Sequence, residues 1–366
     1  MRIVVTGGGT GGHVYPAIEV AKAARDRGWE VCYFGSHRGQ EGKICKDEGF
    51  DFQGFPSEPI YSIKSIKGLK AAGNIWRATQ LAKKCLVAYR PQAVFSTGGY
   101  SSAPVVSAAK ALGIPYVIHE QNTVPGRTNH YLAKRAYAVA TTFFEAEKAF
   151  PGIKVVRTGM PVRRQLRNGA QGQLFGHETP HDKPLILVMG GSQGAVVLNE
   201  AAMSCAMRMS RTGAHWLTVA GTKNYDAMHS SLQKLAIGNE FDLRAYLDGD
   251  EMANALFKAL VVVCRSGGSL AELAVFRKPS VLVPFPSAMG NHQYFNAKEF
   301  ADMGAALILE QKDLEPALLE ARILAWLDDP LVYENAQRAL AAWDVPDAVD
   351  RILNLVAEAA ASSRAR

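Results

Sequence analysis

The 366-residue chain predicts an α/β protein of two similar domains, each a parallel sheet wound with helices. Three observations carry that expectation. Short β-branched runs alternate with longer helical patterns, the mark of parallel strands joined by crossover helices. The run RIVVT (2–6), the loop GGGTGGH (7–13) and the helix that follows are written again at PLILVMGGSQGAVVLNEAAMSCAMRMSRTG (184–213). A second pair also matches: AVFSTGGYSSAPVVSAAKALGIPYVI (93–118) and VVVCRSGGSLAELAVFRKPSVLVPF (261–285) both read strand, double glycine, helix, strand. Each half thus carries two strand–glycine–helix turns in the same order, so both halves are Rossmann-like. Their sheets are expected to face across a cleft lined by the carboxyl ends of the strands, where such folds bind ligands.

Taken in order, the first helix is expected to carry Pro16 in its first turn, where the amide that proline lacks has no partner anyway. Gly28 stops that helix, and EVCYFG (30–35) is the second strand. The stretch LRNGAQGQLFGHETPHDKP (166–184) is polar and marked by Gly and Pro, as a linker or variable loop is. These signals divide the chain into domains at 1–162 and 163–342, followed by a C-terminal helix at about 343–366.

Composition bounds the function. A hydrophobic fraction of 48% with 20% charged residues describes a globular protein, and 41 Lys+Arg against 34 Asp+Glu gives a charge of +7. That excess favours an anionic partner, and nucleic acid, phospholipid and a nucleotide diphosphate all fit it. The cysteines, Cys32, Cys45, Cys85, Cys205 and Cys264, are odd in number and form no CxxC pair, which argues against a disulfide framework or a zinc site. MRIVVT runs straight into a strand and leaves no room for a signal peptide. No segment reaches the roughly 18 uninterrupted apolar residues of a membrane span. A soluble protein that meets a membrane peripherally, if at all, is the expectation.

Gly7, Gly9 and Gly12 satisfy GxGxxG after a strand and before a helix, so a dinucleotide site must be weighed. Such a site wants an acid at the end of the second strand, to hold the ribose hydroxyls. Here that strand ends Tyr33-Phe34-Gly35-Ser36, with no carboxylate. There is no GxxxxGK[ST] either. What survives is a diphosphate met by backbone amides at helix N-termini.

GGGTGGHVYPA (7–17), STGGYSSAP (96–104), HEQN (119–122), PVRR (161–164), GGSQGA (190–195), RSGGSLAEL (265–273) and HQYFNA (292–297) fall in order along nearly the whole chain and together resemble the MurG family. The resemblance implies a GT-B type fold and an inverting transferase. Members move N-acetylglucosamine from UDP-GlcNAc to the 4-hydroxyl of the MurNAc of lipid I, making lipid II and UDP for peptidoglycan. It also implies a C-terminal helix packed back on the first domain, which would face acceptor and membrane while the second binds UDP-GlcNAc. UDP-GlcNAc, lipid I and an anionic membrane surface are the implied partners, with no nucleic acid, no cofactor and a place on the cytoplasmic face of the bacterial plasma membrane. Two alternatives remain: a GT-B transferase with another acceptor, and a UDP-GlcNAc epimerase.

The resemblance assigns roles residue by residue. His13 is the candidate base, with Glu120 or His119 as rivals, since the acceptor hydroxyl must lose a proton as it attacks the anomeric carbon. Thr10, Gly11, Gly12 and Asn122 complete the first-domain surface. Ser192 and Gln193 match diphosphate contacts, and Arg163 a donor-site arginine preceded by Met160 where the family motif has Asn. Leu247 matches a position beside the uracil, or is a buried strand residue. Gly268, Ser269, Leu270 and Glu272 form the loop and helix start of the ribose site. There Ser269-x-x-Glu272 also reads as a capping box. Gln293 and Asn296 would read the donor sugar's hydroxyls through amides that both donate and accept. Asp248-Gly249-Asp250 resembles a metal-binding DxD, but its place before MANALF favours an aspartate N-cap, so no metal is expected. Ile63, Ile66, Leu69, Ile75 and Trp76 interleave with Lys64, Lys67 and Lys70, a pattern that suits an anionic lipid surface and equally a helix covering the core.

Overall fold

Two parallel sheets organise the chain in the computed structural model, which describes residues 1–58, 66–171, 183–191, 194–235 and 240–364, leaving out the side chains of 66–72 and 363–364. The first unit comprises Met1–Arg163 with Val345–Arg366, and the second Arg164–Asp344. The first contains β1 (Arg2–Thr6), α1 (Gly11–Asp26), β2 (Glu30–Ser36), α2 (Glu41–Asp47), β3 (Asp51–Phe55), α3 (Ile66–Tyr89), β4 (Ala93–Ser96), α4 (Ala103–Leu112), β5 (Tyr116–Glu120), α5 (Arg127–Ala133), β6 (Ala138–Thr141) and β7 (Val155–Arg157). The second contains α6 (Arg164–Gly169), β8 (Leu185–Met189), α7 (Val196–Arg208), β9 (His215–Val219), α8 (Tyr225–Leu232), β10 (Phe241–Arg244), α9 (Gly249–Lys258), β11 (Ala259–Cys264), α10 (Ser269–Val275), β12 (Ser280–Leu282), α11 (His292–Asp302), β13 (Ala306–Ile308), α12 (Pro316–Leu327) and α13 (Pro330–Trp343). The last helix, α14 (Ala348–Arg364), belongs to the first unit.

The strand orders are β3-β2-β1-β4-β5-β6-β7 and β10-β9-β8-β11-β12-β13. The second order repeats the first six places of the first, so the internal duplication read from the sequence is a duplication of topology. In each sheet the winding direction reverses between two neighbouring strands, β1 and β4 or β8 and β11. The loops after those four strands are the four glycine loops. Crossover helices leave such a reversal on opposite faces, which opens a crevice at the strand ends.

Strand alternation sorts the first unit's core. Ile3, Val5, Tyr33 and Phe95 face α1 and α14, whereas Val4, Phe34, Val94 and Ile118 face α3 and α4. Both faces are covered, so these strands read as continuous apolar runs. Helix α14 supplies Ile352, Leu353, Val356, Ala359 and Ala360 to the first of those faces. Its surface pairs, Arg27 with Asp350 and Lys154 with Glu358, both at 2.7 Å, are exposed and contribute little by comparison.

Two local expectations are settled here. Pro16 is not in the first turn of its helix. Both His13 N and Val14 N donate to the Thr10 carbonyl at 3.1 Å, so the helix starts at Gly11 and Pro16 lies inside it. The proline therefore leaves the Gly12 carbonyl without its helical donor. Asp248 is an N-cap: its Oδ1 accepts from Asp250 N and Glu251 N at 2.9 Å, and Glu251 Oε2 accepts from Asp248 N at 2.9 Å. That capping box gives Asp248 the N-cap role that the sequence favoured. The five cysteines are free thiols.

Lys278, 2% exposed, sits between α10 and β12, and its Nζ donates to the Phe257 carbonyl at 2.9 Å. Burial lowers its pKa from 10.5 to about 7. Between those values the unfolded chain holds one proton more than the native one, so this group makes stability rise with pH across that window and adds no slope below it. Lys278→Met is therefore expected to flatten the rise in urea midpoint between about pH 7 and about pH 9 relative to the parent. Parallel midpoint curves for the two proteins would refute it.

Candidate functional site

At the first unit's reversal the loops after β1 and β4 pack backbone against backbone. Gly99 has φ 83°, and a Cβ there would run into the Gly8 carbonyl oxygen. Gly7 is as tightly placed, against the Thr97 hydroxyl. Glycine at these points lets the two loops meet closely enough for side-chain bonds to join them. Thr97 Oγ1 donates to the His13 carbonyl at 2.7 Å, and His13 Nδ1 lies 2.9 Å from the Thr97 carbonyl. A carbonyl only accepts, so Nδ1 carries the hydrogen and Nε2 is the basic nitrogen of the neutral ring. His13 is half-buried, beside exposed Thr10 and Gly12 and half-exposed Gly11. Tyr15, two residues on, lies under the Arg163 guanidinium at 5.4 Å.

The two rivals for the base are enclosed. His119 is fully buried, and its Nε2 lies 2.9 Å from the Gly159 carbonyl. Burial lowers its pKa to about 4. Glu120 is 1% exposed, and its oxygens accept from Asn122 N, Asn122 Nδ2, Gly126 N and Asn129 Nδ2 at 3.0, 3.3, 3.2 and 2.8 Å. Burial raises its pKa against the pull of those four bonds. Glu120 therefore clamps the 121–129 segment, with all four of those bonds directed at its enclosed carboxylate.

In the second unit, Gly194 has φ 70° and lies against the Ala220 carbonyl, shaping the turn into α7. After β11, Arg265 is the hub. Its Nη1 donates to the Val283 and Pro284 carbonyls at 3.0 and 3.1 Å, and its Nη2 to Gln311 Oε1 at 2.6 Å. Its guanidinium stands 5.5 Å from the Phe285 ring. Ser266, fully buried, donates through Oγ to the Gln293 carbonyl at 2.7 Å, and Gln293 Oε1 accepts from Phe285 N at 2.9 Å. These bonds tie the loop after β11, the 284–291 loop and the start of α11 into one body.

Two family models match: the glycosyltransferase family 28 N-terminal domain over residues 3–141 and its C-terminal domain over 185–352. The UDP-N-acetylglucosamine–N-acetylmuramyl-(pentapeptide) pyrophosphoryl-undecaprenol N-acetylglucosamine transferase of Lactococcus lactis subsp. lactis is 34% identical over 362 residues, which is 98% of this chain and 99% of the relative. The transferase of the same name from Anaeromyxobacter sp. is 37% identical, covering 98% and 93% of the two chains. The crystal structure of Acinetobacter baumannii MurG superposes with a TM-score of 0.78 at 29% identity, over 98% of this chain and 99% of that one. The chain is a member of the MurG family. A Listeria monocytogenes structure described as a UDP-N-acetylglucosamine 2-epimerase superposes at 0.71 with 14% identity over 96% and 94% of the chains, a likeness of fold alone.

Against the roles that MurG resemblance assigned, the structure sorts the donor residues. Gly268, the exposed N-cap of α10, is followed by half-exposed Ser269 and Glu272, with Glu272 in the first turn. The capping box is not formed: the Ser269 hydroxyl donates instead to the Arg265 carbonyl at 3.2 Å. Leu270 has its side chain wholly in the core, and its amide donates to the Gly267 carbonyl at 3.2 Å. Leu247 is 6% exposed, buried as expected but in the loop after β10 rather than in a strand. Asn296 is fully buried, and its Nδ2 donates to the Ser266 carbonyl at 3.0 Å. Gln293 stays half-exposed and Asn122 likewise. Ser192, Gln193, Ile63 and Lys64 lie outside the described residues, as do the side chains of Ile66, Lys67, Leu69 and Lys70. Within α3, Ala78, Ala82 and Leu86 are buried at four-residue spacing, Ile75 is half-buried, and Trp76 is 67% exposed. Helix α3 thus covers the core with one face and exposes a large aromatic on another. Among the described residues no helix is long and apolar enough to cross a membrane.

Sequence reasoning missed Arg265, Thr97, Gln121 and Glu41. Glu41 is fully buried, its Oε1 accepting from Ser36 N at 3.0 Å, so the acid that follows β2 turns inward beneath the first glycine loop. An arginine between an all-apolar strand and a double glycine was the one available signal for Arg265. Asn296→Ala is expected to cost about 1–3 kcal/mol in urea unfolding without any sugar nucleotide present. Parental stability would return Asn296 to a direct part in reading the sugar.

Proposed function

We propose that this chain transfers GlcNAc from UDP-GlcNAc to the 4-hydroxyl of the MurNAc of lipid I with inversion, giving lipid II and UDP. The observation that carries the reading is the pairing of His13 Nδ1 with the Thr97 carbonyl, which places the ring's basic lone pair on Nε2. In the reaction the acceptor hydroxyl gives its proton to His13 Nε2 as its oxygen bonds to the anomeric carbon. The bond from that carbon to the diphosphate oxygen breaks in the same displacement, and the electron pair leaves with UDP. Arg163 and the backbone amides around Gly190–Ala195 are assigned to the charge that grows on the diphosphate. Glu272 is assigned to the ribose hydroxyls and Gln293 to the sugar. With Asp248 used as a helix cap, the diphosphate charge is met by amides and guanidinium, and the activity needs no metal.

The acceptor's lipid brings the enzyme to the cytoplasmic face of the plasma membrane. Exposed Trp76, with Ile75 and the lysines of the 62–84 segment, is assigned to that anionic surface.

Radiolabelled sugar transfer from UDP-GlcNAc to a lipid I analogue tests the reading. Transfer is expected with and without EDTA, and His13→Ala should lower kcat by roughly 10²–10⁴-fold. No transfer, with UDP still bound, would overturn the acceptor; release of free sugar or its epimer without acceptor would favour the epimerase. Replacing Ile75 and Trp76 with polar residues is expected to reduce binding to anionic liposomes and spare transfer to a detergent-dispersed short-chain acceptor. Loss of both together would mean a damaged fold.

A further inference from the structure

Gln121 is 4% exposed and has no part in the chemistry described so far. Its Nε2 donates to the Thr97 carbonyl at 2.8 Å, the same oxygen that receives His13 Nδ1 at 2.9 Å. The same Nε2 lies 3.2 Å from His119 Nδ1 and 3.2 Å from the His119 carbonyl. Two carbonyl oxygens face that atom, so it must be the amide nitrogen. Gln121 Oε1, turned the other way, is buried without a partner. An amide held in an orientation that leaves its oxygen unsatisfied is held there for its donors.

The hydrogens along this chain are fixed by its ends. Gly159 offers His119 Nε2 a carbonyl, so Nε2 carries the hydrogen and His119 Nδ1 accepts from Gln121. Burial keeps that imidazole neutral, which preserves its acceptor. Gln121 shares one hydrogen between His119 Nδ1 and the His119 carbonyl and spends the other on Thr97, whose carbonyl has two lone pairs for two donors. Thr97 is bound to His13 twice, through its carbonyl and through its hydroxyl at 2.7 Å.

We propose that Gln121, oriented by His119, is a positioning residue for the transfer reaction: it holds the Thr97 carbonyl on His13 Nδ1 and so keeps the basic lone pair of His13 on Nε2. The proposal rests on the reading of His13 as the base. It also gives His119 a task other than proton transfer, which is to set the direction of the Gln121 amide.

Ring-nitrogen NMR of the full-length, ¹⁵N-histidine-labelled enzyme near neutral pH reads this chain directly, with His13→Ala and His119→Phe used for assignment. His13 is expected as the Nδ1–H tautomer and His119 as the Nε2–H tautomer. The opposite tautomer at either ring overturns the proposal without any variant having to fold. Gln121→Leu, close in volume but without donors, is expected to give mixed tautomers at His13 and to lower kcat by about tenfold or more, with KM for UDP-GlcNAc unchanged. A single Nδ1–H tautomer and parental kcat in that variant would sink the idea. Full transfer by His13→Ala, with both tautomers as expected, would overturn the base reading and leave the hydrogen-bond assignment standing by itself.

Discussion

The close approach of two glycine loops at the sheet's reversal point is the constraint on which the rest of the first unit depends. A parallel sheet that winds outward from β1 and β4 brings two loops to one crevice. It does not make them touch. Contact requires the Gly8 carbonyl to lie against the α-carbon of Gly99, a fit that any side chain at Gly99 would forbid. Once the backbones meet, Thr97 can reach His13 from the second loop, and a histidine at the edge of a helix acquires a defined tautomer. The chemistry of the ring is thus set by a steric allowance some residues away.

The second unit solves a related problem with side chains. Its loops after β11 and before α11 are joined through Arg265, Ser266 and Asn296, each partly or wholly buried and each donating to at least one backbone carbonyl. Half-burial lowers the pKa of Arg265, yet three acceptors meet its guanidinium. Such a network stiffens the frame that carries Gln293 and Glu272.

The parts of this arrangement legible in the sequence were those encoded locally. Glycine doublets after β-branched runs, the repeat of that pattern, and the Asp248 cap before an amphipathic helix each depend on a few adjacent residues. Burial is not local, and the sequence did not reveal it. Glu120, Leu270 and Asn296 stand inside motifs that point to ligands, but strands and helices distant in sequence enclose all three. Pro16 was misplaced by a related cause, since glycines that usually end a loop here wind into the helix. Fold alone would also have left the reaction open, because the epimerase superposes almost as well as the transferase.

Helix α14 carries a consequence for how the chain is made. It follows every other described element in the chain, yet its Ile352, Leu353 and Val356 cover the face of the sheet that carries Ile3 and Val5 of β1. The intervening unit, Arg164–Asp344, has its own core and its own closing ion pair, Arg167 with Asp344 at 2.8 Å. In chain order, then, all of the second unit's residues precede the helix that completes the first unit's core. Until α14 emerges, the part of that apolar face which α1 does not cover stays open, a surface of the kind that folding machinery shields.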